Sequence, residues 1–458
     1  MSGEGQVQAQ ASVARAHWSS RWGFFLVTVG SAVGLGNIWK FPYMTGSNGG
    51  SAFVLVYLAC ILIIGVPLLM AETLLGRRGQ ASPVGTMRAL VAEAGAQRFW
   101  VVIGYVGIIG SFLILAFYSV VAGWVLEYTW QAAGGFAAAS KEVFAQAFAD
   151  LLANPARLIF WHSLFMAMTA VVVLGGVTAG IERANKIMMP GLFAILLFLV
   201  GYGAYAADLP AAWRFLFHFD ASALNRGVLF AAMGHAFFTL SLGMGAIITY
   251  GSYLDRDTSI PKICLQVAVA DTVVALLAGL SIFSVVFAQG LAPEAGPGLL
   301  LQTLPLAFSQ MPGGQAIGFL FFVLVVFAAW TSSISLLEPS VTLLVERFAM
   351  GRRQAVLCVT LAIWLLGVAV AFSFNDWKGF SLFGLGLFDL LDTATTKFLM
   401  PLAGLLIALF TAWVMRRADV AEEIGLRGAA FVFWYRVLAF VSPVAILIIF
   451  LHVLGVLG

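Results

Sequence analysis

The residues best able to do chemistry in this chain are oxygen-bearing side chains set within apolar runs. Asn37, Thr239 and Asp271 each lie in such a run, and "AAWTSSISLLEP" carries consecutive hydroxyls at 331–333. Amide, hydroxyl and carboxylate oxygens are the ligands that hard cations such as Na⁺ prefer. A carboxylate near the centre of a bilayer costs about 2.5 to 3.5 kcal/mol on insertion scales and is functional by default. We therefore name Na⁺ as the expected partner of Asp271.

Each of these assignments has a structural alternative. Asp271 follows Pro261 by only ten residues, so the carboxylate could lie near a membrane surface. The hydroxyls at 331–333 could bond back to carbonyl oxygens one turn earlier in their helix. Tyr118, within "LAFYSVVAGW", could be a packing residue whose hydroxyl is satisfied. The residues alone leave these alternatives open.

Two apolar runs are interrupted by glycine beside these polar residues. One reads "GSAVGLGNIWKFP" from Gly30 to Pro42, and the other reads "TLSLGMGAIITYGSY" from Thr239 to Tyr253. Glycines also serve close helix packing, but interruptions at matching positions in two halves are typical of inverted-repeat transporters with a midplane site. Freed N–H groups attract a carboxylate and freed carbonyl groups attract a cation. A zwitterionic amino acid together with Na⁺ would satisfy both.

The composition limits the class of protein that can carry such sites. Of 458 residues, 62% are apolar and 10% are charged, whereas soluble domains carry about 25% charged residues. This excludes a soluble enzyme, a disordered chain and a nucleic-acid binder, and it predicts an all-α polytopic membrane protein whose partner is the lipid bilayer. The five histidines are scattered without the spacing of metal ligands, so no enzyme is predicted.

Windows of about 20 apolar residues, the length that crosses a bilayer, predict eleven spans. Between them, 16 Lys and Arg residues fall on the side of the N-terminus and 7 on the other. This bias places the N-terminus in the cytoplasm and the C-terminus outside the plasma (inner) membrane. The connection 291–314 is long enough to form a structured lid. The spans are predicted to begin near Trp22, Gly50, Phe99, Leu158, Lys186, Arg226, Pro261, Gln315, Ala355, Ser381 and Ala430.

Taken in order, these motifs resemble the neurotransmitter:sodium symporter family, and specifically its bacterial amino-acid transporters. The resemblance begins at about Arg15 with "RAHWSSRWGFFLVTVGSAVGLGNIWKFPY" and "NGGSAFVLVY". It continues through "FFTLSLGMGAIITYGSY", "DTVVALLAGLSIF", "AAWTSSISLLEP" and "FDLLDTATTKFLMPLAG" to the last span. It implies a LeuT-like fold of five helices and an inverted five, with the first and sixth helices broken.

The resemblance also implies how the single transmembrane transporter domain, residues 1–458, is organised. We expect a cytoplasmic N-terminal segment at 1–20, a first repeat at 21–205, an inverted second repeat at 226–411 and an additional eleventh helix at 430–456. In the fifth span, "GIERANKIMMP" at 180–190 matches a glycine and a proline whose spacing permits unwinding when the inward path opens.

The resemblance assigns a binding site for substrate and two Na⁺ sites. The substrate carboxylate would meet the amides of Leu35 and Gly36 and the hydroxyl of Tyr118. Phe238 would cover the ligand as an aromatic lid. The substrate-binding residues implied are Ala32, Leu35, Gly36, Ile114, Tyr118, Phe238, Thr239, Ser241, Met244, Ser333, Ser335 and Leu336. The first sodium site would use the Ala32 carbonyl, Asn37, Thr239, Asp271 and the substrate carboxylate. The second would use carbonyls of Gly30, Val33 and Ala328 with hydroxyls of Thr331 and Ser332.

Two ion pairs would serve as gates, Lys40 with Asp392 on the outer side and Arg15 with Glu346 on the inner side. Lys40 stands where an arginine is usual, so the outer latch is expected to be looser. His235 stands where a glutamine is usual. It could sense pH or serve as a neutral hydrogen-bonding group.

The resemblance implies transport without chloride, because animal members that need chloride carry an uncharged residue at the position of Asp271. The pocket offers no charged partner for a substrate side chain. The predicted function is therefore Na⁺-coupled import of a neutral, apolar L-amino acid by alternating access. The alternative is an amino-acid-binding membrane sensor or an uncoupled channel of the same fold. Neither the exact amino acid nor the oligomeric state follows from the sequence.

Overall fold

A computed structural model describes residues 17–136, 140–293 and 296–454 of the chain. These residues are helical apart from connecting turns and one isolated β-bridge between Leu382 and Leu385. Among them, two helices that meet at 47°, Arg21–Ala32 and Gly36–Ser47, form the first crossing of the membrane. Nine continuous helices are also long and apolar enough to cross: Ser51–Gly79, Arg98–Gly134, Pro155–Leu174, Val177–Ala206, Ile260–Ala288, Gly314–Phe348, Arg352–Phe372, Leu387–Val414 and Gly428–Val453.

The sixth crossing is divided more deeply than the first. Its two helices, Arg226–Thr239 and Ala246–Gly251, are separated by the non-helical residues 240–245. With this divided helix included, the described residues contain the eleven predicted spans. The predicted all-helical polytopic fold with broken first and sixth helices is confirmed.

Two predicted boundaries are wrong. The fifth span begins at Val177 and not near Lys186, because the charged residues Glu182 and Arg183 lower the apolar character of the sequence there. The tenth begins at Leu387 and not near Ser381, because the apolar residues before it form a turn instead of helix. Apolar composition alone therefore misplaced the starts of these two spans by several residues.

Several helices start where the sequence supplies a capping side chain. The hydroxyl of Ser20 accepts a hydrogen bond from the Gly23 amide (3.0 Å), and the Asn225 side chain accepts one from the Val228 amide (3.0 Å). Such side chains satisfy N–H groups that have no partner in the first turn. These caps fix the ends of the first and sixth spans farthest from their breaks.

The first span lies among the fifth, seventh and eighth spans, and the third span packs along the eighth. The helices of the first span also contact both helices of the sixth, so the two breaks lie side by side. Short helices connect the spans at both ends, and the predicted lid segment contains Thr303–Ser309. The other connecting helices are Pro83–Glu93, Lys141–Ala153, Leu209–Phe217 and Arg417–Ile424.

Candidate substrate and cation site

The first span opens at residues 33–34, where the backbone leaves the helical conformation. Val33 is extended, with φ −73° and ψ 109°. The Gly34 amide donates to the side-chain oxygen of Asn37 at 3.0 Å, and the Leu35 amide donates to the hydroxyl of Tyr118 at 3.3 Å. A Cβ on Gly34 would lie 2.4 Å from the Oγ of Ser332. The glycine therefore lets the first and eighth spans approach closely.

The sixth span opens where three residues have positive φ: Ser241 (+54°), Gly243 (+75°) and Gly245 (+72°). Glycine adopts this conformation freely, whereas serine does so rarely. The Ser241 hydroxyl donates to the Ser31 carbonyl at 2.8 Å, which ties the two breaks together. The Gly243 amide donates at 2.7 Å to Glu72, a fully buried carboxyl group of the second span. Side chains thus take up backbone groups that unwinding leaves without helical partners.

Between the two breaks lies a small cavity. Its walls come from the first, third, sixth and eighth spans, and no residue lining it is charged. Ten of the twelve predicted substrate-binding residues line it. The full lining is Ser31, Ala32, Gly34, Leu35, Gly36, Ile114, Tyr118, Phe238, Ser241, Met244, Ser332, Ser335 and Leu336.

Two predicted substrate residues lie elsewhere. The Ser333 hydroxyl contacts the Trp330 carbonyl (2.8 Å) and the hydroxyl of Thr169 in the fourth span (2.7 Å). The structure corrects its assignment to the pocket, because residue 333 is on the helix face turned toward the fourth span. The Thr239 hydroxyl is directed at Asp271 and not at the cavity.

Asp271 stands at the centre of a buried polar cluster and has no exposed surface. The Asn37 amide group donates to one carboxylate oxygen at 2.7 Å, and the Thr239 hydroxyl donates to the other at 3.0 Å. The Tyr57 hydroxyl lies 3.5 Å from that second oxygen. Within the described part of the chain, no Lys, Arg or His forms an ion pair with Asp271. Asp271 is the twelfth of the 29 residues of Ile260–Ala288, which favours a position within the span over one at its end. When it is ionised, its carboxylate would offer a negative charge to a cation.

A second group of oxygens surrounds the hydroxyl of Ser332. It lies 3.1 Å from the Val33 carbonyl, 3.3 Å from that of Ser31 and 3.4 Å from that of Gly30. A hydroxyl has one hydrogen to donate, so it cannot satisfy three carbonyl oxygens at once. This excess of acceptors is the arrangement that a hard cation stabilises.

Thr331 extends the same group from the eighth span. Its hydroxyl lies 3.1 Å from the Ala328 carbonyl and 3.5 Å from the Val33 carbonyl. Oxygen ligands about 2.4 Å from a cation would lie about 3.4 Å apart in an octahedral shell, which resembles these spacings. The Thr331 hydroxyl is also 3.0 Å from the Phe327 carbonyl. The Thr331 hydroxyl thus bonds back to the previous turn, as in the structural alternative, and also faces the Val33 carbonyl of the first span.

The outer gate differs from the predicted ion pair. The Lys40 ammonium lies over the Phe238 ring, 4.2 Å from its centroid, and forms no ion pair with Asp392 within 4.0 Å. The long flexible side chain of lysine permits this position, in which the cation lies against an aromatic face. The structure therefore links Lys40 to the predicted lid instead of to Asp392.

At the inner gate, Arg15 lies outside the described residues. Its predicted partner Glu346 accepts hydrogen bonds from the Ser82 amide at 2.7 and 2.9 Å. The indole nitrogen of Trp18 donates to the Tyr250 carbonyl at 3.1 Å, and its ring packs on Tyr253 with centroids 5.5 Å apart. These contacts join the residues just before the first span to the end of the helix Ala246–Gly251.

Several contributing residues were not predicted from the sequence. Glu72 and Glu338 are fully buried acids within apolar helices, a signal that could have marked them. Glu338 pairs with Arg352 at 2.7 Å and accepts a hydrogen bond from the Tyr253 hydroxyl at 3.1 Å. Tyr57 gave no such signal, because an aromatic residue in an apolar helix is ordinary.

Comparison with known proteins agrees with this geometry. Residues 15–138 and 146–457 match the model of the Sodium:neurotransmitter symporter family. YhdH, a sodium-dependent transporter of Bacillus subtilis (strain 168), is 36% identical over 448 residues, which cover 96% of this chain and 98% of its own. The sodium-dependent neutral amino acid transporter B(0)AT2 of Bos taurus is 25% identical over 61% of this chain and 41% of its own. The crystal structure of MhsT in complex with L-phenylalanine has a TM-score of 0.88 and 43% identity, covering 96% of this chain and 100% of that chain.

Proposed function

Because the chain belongs to the sodium:neurotransmitter symporter family, we propose that it imports a neutral, apolar L-amino acid together with Na⁺ and without chloride. The family predicted from the sequence is confirmed, and with it a sodium-dependent symporter that is not an enzyme. The observation that carries the finer proposal is the uncharged cavity between two helix breaks, next to a buried carboxylate without a basic partner.

The main-chain part of the substrate is recognised by the breaks. The amides near Leu35 and the hydroxyl of Tyr118 meet its carboxylate, and carbonyls near Ala32 and Phe238 meet its ammonium. Both charged ends are thereby paired with fixed dipoles, as burial in a low-dielectric site requires.

The substrate side chain is selected by an apolar wall. Ile114, Met244 and Leu336 line the cavity, and a charged side chain would find no partner there. The related MhsT binds L-phenylalanine and the related B(0)AT2 is a neutral amino acid transporter, which supports a neutral, apolar substrate. Methionine at position 244 can repack around ligands of different shape.

Two Na⁺ ions drive the import. One binds among Asn37, Thr239, Asp271 and the substrate carboxylate, and the other binds among the carbonyls and hydroxyls around Ser332. Two ions crossing about 100 mV release about 4.6 kcal/mol, and a tenfold gradient adds about 1.4 kcal/mol for each ion. The total of about 7 kcal/mol is enough to concentrate a neutral solute about 10⁵-fold.

Alternating access uses the gates on either side of the cavity. To open the cavity outward, Lys40, Phe238 and Asp392 move away from its outer side. To open it inward, Arg15 and Glu346 separate on the cytoplasmic side. The π-helical turn Val177–Glu182 precedes Pro190 in the fifth span, which supports unwinding at this end. The N-terminus then lies in the cytoplasm and the protein in the plasma membrane.

Uptake into proteoliposomes tests the proposal. Radiolabelled amino acids are supplied to the purified protein with Na⁺ exchanged for K⁺ and, separately, chloride exchanged for gluconate. We expect accumulation of neutral, apolar L-amino acids that requires Na⁺ and is unchanged in gluconate. Accumulation that persists in K⁺ would contradict the proposal. Sodium-dependent binding without accumulation would instead identify the sensor, and substrate-independent ion flux the channel.

A further inference from the structure

The connection between the ninth and tenth spans contains a tight hairpin with an apolar tip. Leu382 and Leu385 exchange two backbone hydrogen bonds, of 2.9 and 3.0 Å, around a two-residue turn. The turn residues Phe383 and Gly384 both have positive φ, +55° and +76°. Two-residue turns with positive φ at both positions favour Asn, Asp or Gly at the first.

Phe383 is unfavourable here in two respects. A positive φ on a bulky residue is a genuine outlier, and 88% of the surface of Phe383 is exposed. An aromatic residue in such a position stores strain without burying apolar surface within the chain. Strain of this kind points to a role for the residue outside the fold itself.

The neighbouring residues make the tip an apolar surface. Trp377, Phe380 and Leu382 expose 47%, 59% and 47% of their surfaces. We call residues 377–385 the apolar hairpin. It is held by backbone hydrogen bonds from Trp377 to the Phe372 carbonyl (2.9 Å) and from Phe380 to the Trp377 carbonyl (2.8 Å). The exposed side chains are therefore presented by an ordered loop.

The position of the apolar hairpin places it at the membrane boundary. The ninth span, Arg352–Phe372, has 21 residues, so it is about 31 Å long and matches the hydrocarbon thickness of about 30 Å. Leu357, Leu361 and Leu365 are each more than half exposed on one face of this span. A lipid-facing stripe thus leads toward the hairpin at the end of the same helix.

We propose that the apolar hairpin inserts into the interfacial region of the adjacent lipid leaflet. Trp is enriched in this region and Lys can anchor a segment there, and the hairpin supplies Trp377 and Lys378. The tenth span, which carries Asp392, begins at Leu387, only two residues beyond the hairpin. The inserted tip anchors the start of that span to the bilayer.

Fluorescence quenching in nanodiscs that hold one copy of the full chain tests the insertion. The three cysteines, Cys60, Cys264 and Cys358, are replaced by alanine, and an environment-sensitive NBD probe is attached through Leu382→Cys. The matched control carries the probe through Ala149→Cys, an exposed position on the connecting helix Lys141–Ala153. Lipids brominated near the headgroup end of the acyl chain serve as quenchers.

We expect quenching at position 382 at least about threefold stronger than at position 149, with a blue-shifted emission. Adding Phe383→Ser should reduce that quenching. Equal quenching at the two positions would overturn the proposal. So would shielding of the probe that occurs only in discs with two copies, because the hairpin would then dock on a second chain.

A second variant tests the strain separately from the membrane. Phe383→Asn places a residue that tolerates positive φ in the turn. We expect it to raise the thermal unfolding midpoint in detergent while lowering the quenching at position 382 in nanodiscs. A lower midpoint in detergent would show that Phe383 is stabilised by the fold, contrary to the proposal.

Discussion

The two groups of oxygens beside the cavity differ in how they can hold a cation. In one, the acidic side chain of Asp271 is fully buried, with only hydroxyl and amide groups around it. In the other, Ser332 and Thr331 face carbonyl oxygens of the first span, and every oxygen is neutral. The first position therefore depends on charge, and the second on how closely two spans approach.

This difference suggests a division of labour between the two ions. In the proposed mechanism, a cation beside Asp271 would also lie next to the carboxylate of a bound amino acid, so it would be tied to the presence of substrate. A cation beside Ser332 would bridge the first and eighth spans, so it would be tied to their separation. Substitutions in the two groups should accordingly have distinct signatures in the dependence on Na⁺ and anions.

The largest effect is expected from Asp271→Asn. Removing one partner of a buried charge interaction costs about 3 kcal/mol or more, which is about 100-fold in the half-saturating Na⁺ concentration for uptake. Chloride should then stimulate the variant, since a mobile anion can replace the lost charge. Asp150→Asn, at an exposed acid on a connecting helix, is the matched control and should behave as the unmodified protein. A variant that stays active and indifferent to chloride would refute the role given to this carboxylate.

A smaller effect is expected in the neutral group from Thr331→Val and Ser332→Ala. Loss of one hydroxyl ligand of a cation costs about 1.4 kcal/mol, so each should raise the half-saturating Na⁺ concentration about tenfold. Chloride should not restore either variant. The control is Ser340→Ala, which removes a buried hydroxyl farther along the same helix that has no hydrogen-bond partner. Rescue by chloride would remove the proposed contrast between the groups.

Substitutions at the outer gate should have smaller effects on transport, and the effects at Lys40 and Asp392 should differ. The contact of Lys40 with the Phe238 ring is worth about 1 kcal/mol, so Lys40→Gln should raise the KM for substrate about fivefold. Asp392→Asn should change it by less than about twofold, because no ion pair joins it to Lys40 in the structure. Measured KM values for both variants decide the matter. A larger effect at Asp392 would favour the ion-pair gate predicted from the sequence.

The smallest effect on transport is expected from Ser333→Ala. Its hydroxyl bonds to Thr169 outside the cavity, so KM should be unchanged while the free energy of unfolding falls by about 1 kcal/mol. Ser335→Ala, two residues along, is the comparison, because Ser335 lines the cavity. It should alter the relative uptake of amino acids of different size. If the unmodified protein and both variants have equal KM values for every amino acid tested, Ser335 does not contact the substrate either, contrary to this expectation.

Much of this arrangement could be predicted from local features of the sequence. Apolar run lengths set the number of spans, because a backbone in hydrocarbon must bond within its own helix. The glycines at 34, 243 and 245 marked the breaks, since positive φ and close approach are properties of the residue itself. Asp271 was identified for the same kind of reason, as its burial within an apolar helix is costly without a partner.

Other features depended on which residues the fold brings together. Sequence neighbours Ser332 and Ser333 serve different spans, because successive residues of a helix point about 100° apart and only packing decides which face meets the cavity. The flexible side chain of Lys40 could turn toward the Asp392 carboxylate or toward an aromatic ring, and the position of Phe238 selected the ring. Tyr57 joined the Asp271 cluster from a distant span. Residue type and spacing thus determined that the chain crosses the membrane and where it unwinds. Tertiary packing decided which side chains share each site, because that depends on helix rotation and on contacts remote in sequence.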